Sequence, residues 1–264
     1  MKIINFIWLF MFTISFSNCQ TNTPIAPGYR FSNFRGTPIE NIAIAIEKDD
    51  TILLNSIIKE KSINLNYLEP KYNQPIINLA IWYDKKKEIK WLLKNGANPN
   101  IICGNNSITP FLLTCSLAFL NRDNISMMTL LIKYGADVNA VQIYRSGGGK
   151  IIKKTPLDYI CESGNVSELK LLINNGADLN SYPKNGEQSL ISRAEINPKL
   201  DIMRYLLMEK KVPIPDYCVI RYPGTQNEKK ITLRQLINER QVLKDAKQEK
   251  IEQEILFFLS QNGK

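Results

Sequence analysis

The sequence predicts an all-α chain made of stacked pairs of short antiparallel helices, and three observations carry that expectation. A closing phrase recurs as Asn95-Gly96-Ala97-Asn98-Pro99-Asn100, Tyr134-Gly135-Ala136-Asp137-Val138-Asn139 and Asn175-Gly176-Ala177-Asp178-Leu179-Asn180, with its glycines 39 and 41 residues apart. Thr109-Pro110 and Thr155-Pro156 are helix openings, because the Thr can cap and the Pro fits a first turn that needs no backbone N–H. Between opening and close, Leu169, Leu172 and Ile173 show the spacings of three and four that give a helix one apolar face. A single helix pair cannot bury such a face alone, so it needs neighbours built the same way.

Those residues resemble the ankyrin repeat, a unit of about 33 residues that opens on Thr-Pro-Leu-His and closes on Gly-Ala-Asp-x-Asn. The resemblance covers residues 37–263. It implies an ankyrin-repeat solenoid of about six helical pairs with short β-hairpin finger loops, one of them extended. It further implies a non-enzymatic, monomeric scaffold that binds another protein.

The chain begins with Met1-Lys2 and an apolar run from Ile3 to Ile14. That run is shorter than the roughly 20 residues a membrane span requires, so residues 1–18 read as a signal peptide. Phe16-Ser17-Asn18-Cys19 resembles a bacterial lipobox, which makes Cys19 the lipidation site. Ser15-Phe16-Ser17 equally suits ordinary cleavage. Export to the bacterial periplasm or outer membrane follows from either reading, with the membrane a partner through the lipid anchor. Residues 19–36, polar with Pro24, Pro27 and Gly28, read as a tether.

Repeat units are expected near 37–66, 75–100, 109–139, 155–180 and 189–213, with a C-terminal cap over 231–263. The first opens at Thr37-Pro38 and has lost Gly-Ala from its close, Ser62-Ile63-Asn64-Leu65-Asn66, as terminal units do. In the second, Trp82-Tyr83 stand just before the inter-helix turn. There they serve either as a partner anchor on the concave face or as cover for a neighbouring helix. In the third, Met127-Met128 fill core. The fifth has Pro198 in place of a turn glycine, and Asp216 to Lys230 reads as an irregular link.

The largest departure from the repeat lies between the third and fourth units. Val141 to Arg145, Ser146-Gly147-Gly148-Gly149 and Lys150 to Lys154 read as two strands around a glycine turn. Loops tolerate insertions and also carry recognition. The second possibility makes Tyr144, Arg145, Lys150, Lys153 and Lys154 candidate partner-binding residues beside Trp82 and Tyr83.

Composition narrows the chemistry. The 264 residues contain no histidine, which excludes Ser–His and Cys–His nucleophiles, imidazole bases and His-ligated zinc. The repeat's opening His is replaced at or near Asn78, Leu112, Asp158 and Ser192, with an expected loss of local hydrogen bonding. Cys103, Cys115, Cys161 and Cys218 read as small core hydrophobes rather than metal ligands. No metal or cofactor is expected. The net charge of +9 favours a protein partner with acidic patches, and no nucleic-acid motif accompanies it. Inhibition of a secreted toxin or effector is one use of such a scaffold, and support or regulation of an envelope enzyme is another. An enzyme using carboxylates such as Asp158 or Glu162 is the rival from a different class.

Overall fold

Helix pairs form where the apolar spacing and the caps require them. The structure, a computed structural model, describes residues 27–264 apart from 61–62, 105–106, 121–122, 147–148, 198 and 240–244. The segment expected as a signal peptide, the expected lipidation site Cys19, and Pro198 lie outside the described residues. Five helix pairs and a terminal pair follow in order: α1 (Glu40–Glu47) with α2 (Thr51–Glu60), α3 (Ile76–Trp82) with α4 (Lys86–Lys94), and α5 (Pro110–Ser116) with α6 (Asn124–Lys133). Next come α7 (Pro156–Ser163) with α8 (Val166–Asn174), α9 (Leu190–Ile196) with α10 (Leu200–Arg204), and α11 (Leu233–Glu239) with α12 (Ala246–Gln261). Each first helix packs on the next in the row α3, α5, α7, α9, and the second helices form a parallel row α4, α6, α8, α10. One buried cluster runs from Phe31 and Phe34 to Ile255 and Leu259, and it includes Met127 and Met128.

The caps behave as physical chemistry dictates. Thr109 and Thr155 each accept a backbone N–H from the third helical residue, with Pro110 and Pro156 in the first turn. Thr37 does not cap α1: the N-cap is Ile39, without a side-chain bond, and Glu40 instead takes the Gly36 N–H at 2.9 Å. Gly164 is needed for space rather than handedness, because a Cβ there would stand 2.9 Å from the Ile160 carbonyl oxygen. Gly96, Gly135 and Gly176, at φ +97, +84 and +90, are left-handed and end their helices.

The closing phrase is a seam between units. Asn66 Nδ2 donates to the Gly96 carbonyl at 3.1 Å while its Oδ1 accepts from Asn98 N–H at 2.7 Å. Asn100 does the same to Gly135 and Asp137, at 2.7 and 2.8 Å, and Asn139 to Gly176 and Asp178, at 2.9 Å each. One side-chain amide thus satisfies an acceptor and a donor of the next unit. The first unit could lose its Gly-Ala and still need Asn66. The series stops at the fifth unit, where Lys211 takes the left-handed position (φ 53) and Pro213 stands where the N–H would be. The same unit carries a π turn over Tyr205–Glu209, so Val212 N–H reaches back to Leu206, one residue further than the matching Ala177 to Leu172 bond.

Two segments differ from the sequence reading. Residues 27–34, expected as tether, form two 3₁₀ turns, Pro27–Tyr29 and Phe31–Phe34, with Phe31 and Phe34 buried. The first helix pair otherwise leaves apolar surface at the end of the stack, and these aromatics cover it. Within the expected irregular link, β3 (Val219–Arg221) and β4 (Lys229–Ile231) pair antiparallel. Upstream of them lies the earlier hairpin, β1 (Gln142–Arg145) and β2 (Ile151–Lys154), as the glycine turn predicts.

Candidate functional site

Strand alternation sorts the hairpin's side chains into two faces. Ile143 pairs with Lys153 and Arg145 with Ile151, while Gln142 pairs with Lys154 and Tyr144 with Ile152. Successive residues point to opposite faces, so the first set shares one face and the second set the other. The first face looks outward: Val141, Ile143 and Ile151 are 48, 47 and 53% exposed, and Arg145 and Lys153 are exposed beside them, with Lys150 exposed at the turn before β2. Isoleucine stands next to a cation in both pairs. The second face looks onto α7. Gln142 is buried and its side-chain oxygen accepts from the Tyr159 hydroxyl, over whose ring Lys154 Nζ sits 5.0 Å from the centroid.

Beneath that inner face lies a paired charge cluster. Lys154 Nζ is 2.5 Å from Glu162 Oε2, and Arg193 on α9 bridges Glu162 Oε1 at 3.0 Å and Asp158 Oδ1 at 3.1 Å. The Asp158 contact is an ion pair without hydrogen-bond alignment. Asp158 Oδ2 also accepts from Thr155 N–H at 2.7 Å and from the Tyr182 hydroxyl at 3.3 Å. Two cations and two carboxylates are thereby matched in a half-dry site, as buried charge requires. Burial and then neighbouring Asp158 push the Tyr182 phenol well up, and burial followed by Tyr144 does the same to Tyr159. The hydrogen bonding expected to be lost with the repeat's His is rebuilt by Asp158 here, and by Ser192 bonded to Ser189 and the Cys218 carbonyl in the fifth unit.

The remaining predicted site residues fall elsewhere. Trp82 stacks on Tyr29 with ring centroids 4.3 Å apart, and Tyr83 stacks on Phe31 at 5.1 Å and donates to the Tyr29 carbonyl at 2.9 Å. Both rings are covered by the chain's own N-terminal turns, so they cap the stack. They stand at the C-terminal end of α3, Tyr83 as its C-cap, whereas the hairpin packs on α7, with α5 between the two helices. Of the hairpin candidates, Arg145 and Lys153 face out and Lys150 is exposed at the turn, while Tyr144 is half-buried and Lys154 is engaged by Glu162. Sequence reasoning missed Val141, Ile143 and Ile151. Their alternation with Gln142 and Tyr144 was the available signal.

A groove of 450 Å³ opens beside the outward face. Val141 and Lys153 form one wall, Tyr182, Pro183 and Gln188 of the next finger the other, and Leu157 and Arg193 lie at its base.

Comparison with known proteins agrees with this architecture. Residues 115–216 match the family model for ankyrin repeats, described as three copies. An ankyrin repeat protein of Acanthamoeba polyphaga mimivirus is 31% identical over 129 residues, 46% of this chain and 19% of that protein. A second from the same virus is 30% identical over 169 residues, 62% of this chain and 37% of its own. The chain therefore spans well under half the length of either relative. Ankyrin repeats are present, and the mostly helical structure with two small sheets fits an ankyrin-type fold. Such repeats typically serve as non-enzymatic protein-interaction modules.

Proposed function

We propose that this chain is a protein-binding ankyrin solenoid whose recognition surface is the outward face of the β1–β2 hairpin. The observation that carries the reading is the split of the hairpin into two faces. One is bonded to α7 and the charge cluster, and the other leaves three apolar side chains and two cations in water on a fixed platform, with Lys150 exposed at the adjoining turn. Exposed apolar groups beside cations suit a partner surface of apolar and acidic residues. The carboxylates of the rival enzyme reading, Asp158 and Glu162, are both held by cations at the hairpin's foot.

The finer form of the reading places the protein outside the cytoplasm, with Cys19 as lipid anchor, acting on a secreted toxin or effector or regulating an envelope enzyme. Its support is the leader sequence. Labelled fatty acid incorporated by the wild type and not by Cys19→Ser supports the anchor, and no incorporation removes it.

The hairpin itself is tested by deleting Ser146 to Lys150 and comparing capture of the partner by the deleted and intact proteins, with folding checked by circular dichroism. Loss of capture with an unchanged spectrum is expected. Equal capture by the deleted protein overturns the reading.

A further inference from the structure

We infer that the groove between the β1–β2 hairpin and the Tyr182–Gln188 finger is a specificity pocket, taking one large apolar side chain of a partner segment whose adjacent carboxylate pairs with Lys153. The inference rests on the protein-binding reading above and adds the partner's local chemistry. The walls supply the apolar half: Val141 and Pro183 are exposed on opposite sides, with the half-buried Tyr182 ring and buried Leu157 deeper in. At 450 Å³ the space lies within the range of pockets that enclose a small ligand, and it holds one bulky side chain with room for its backbone.

The rim supplies the charge. Lys153 is exposed and makes no ion pair among the described residues, in contrast to Lys154 next to it, which is held by Glu162. Deeper acids do not compete for the partner's role, since Asp158 is already matched by Arg193. Asp178 lines the groove as well, and its Oδ1 accepts the Asn180 N–H at 2.8 Å. Asp178 keeps its negative charge, with no cation against it among the described residues, so a partner carboxylate is turned from that end of the groove toward the Lys153 rim, where Arg145 stands on the same hairpin face. The walls are also fixed before any partner arrives. The Tyr182 hydroxyl is tied to Thr155 and Asp158, and β2 is tied through Lys154 and Glu162 to Arg193 on the following unit. A pocket held in shape loses less entropy on binding.

The test uses the isotope-labelled full chain and three short glycine-serine peptides, carrying a central glutamate-phenylalanine, lysine-phenylalanine or glutamate-serine pair, followed by NMR at millimolar peptide. The glutamate-phenylalanine peptide is expected to shift the amides of Val141, Lys153, Tyr182 and Gln188. The other two should bind about tenfold more weakly, since each lacks one contact of about 1.4 kcal/mol. Lys153→Glu should move the preference to the lysine-phenylalanine peptide. Gln188→Trp, at an exposed position outside the hairpin, should fill the groove and abolish the shifts. Unmoved groove amides, or binding unchanged by Gln188→Trp, overturn the pocket. If deletion of the hairpin tip abolishes partner capture while Gln188→Trp leaves it intact, the pocket falls and the hairpin face stands.

Discussion

Asn139 and Asp178, 39 positions apart, are joined by a 2.9 Å hydrogen bond from the Asp178 N–H to the Asn139 side-chain oxygen, and the same amide donates to Gly176. Replacing Asn139 by Ala removes both bonds and should cost about 1–3 kcal/mol. Asn139→Asp should cost at least as much at neutral pH, because it keeps the acceptor for Asp178 but sets a carboxylate oxygen against the Gly176 carbonyl. Urea denaturation of the two variants checks the order. A costless Asn139→Ala would show that the seam contributes nothing.

The charge cluster gives the next expectation. Arg193→Ala leaves Asp158 without its cation and Glu162 with only Lys154. Removing one partner from a buried charge group costs about 3–5 kcal/mol. A shift of thermal midpoint no larger than that of an exposed lysine variant would contradict it. Replacement of Lys153, which the cluster does not use, is the control and should leave stability unchanged.

At the other end of the stack, Phe34 is fully buried beneath the first helix pair. Phe34→Ala should cost about 3–5 kcal/mol, and removal of residues 27–36 should expose the Trp82 ring to water. A red-shifted tryptophan emission reports the second effect. Unaltered stability and emission would return these residues to the role of tether.

Glu168 predicts a pH dependence. Burial raises its pKa above the ordinary glutamate value, with its hydrogen bond to the Asn165 N–H acting against the shift. The folded state then holds the proton more tightly than the unfolded state. Stability from this group is fully present below the unfolded value and is lost as pH rises through the folded one. Glu168→Gln should flatten that fall while keeping the cap. Parallel midpoint-versus-pH curves for variant and wild type would refute it.

The buried thiols give the last. Cys103, Cys115, Cys161 and Cys218 are free, and burial raises every one, to about 12 for Cys103 and about 11 for Cys218. Few thiolates exist at neutral pH, so a thiol reagent should label these four only on unfolding. Rapid labelling of Cys161 in the native protein would contradict the burial.

Legibility in the sequence followed locality. Thr155-Pro156 and Gly176-Ala177 act within a few residues of themselves, so the helix pairs and their ends were readable, as was the glycine-turned hairpin. Residues 27–34 were misread because their helical turns depend on Trp82 and Tyr83, some 54 positions away at the Tyr83 to Tyr29 bond. The hairpin's outward face was half visible. Its charges drew notice, while the burial that separates Lys154 from Lys153 comes from Glu162 and Arg193 on other helices. The β3–β4 pair was missed because Tyr222-Pro223-Gly224 reads as an irregular stretch, and its strands are only three residues each.

Pro213 has a mechanical meaning. Up to the fourth unit, neighbours are fastened at their outer loops by neutral amide bonds. Between the fourth and fifth, that fastening is absent among the described residues, and the joint is carried by α7 against α9 and α8 against α10, with Arg193 as its ionic rivet. Because that rivet is buried, added salt screens it little, and the loop edge is where this joint has the least to hold it.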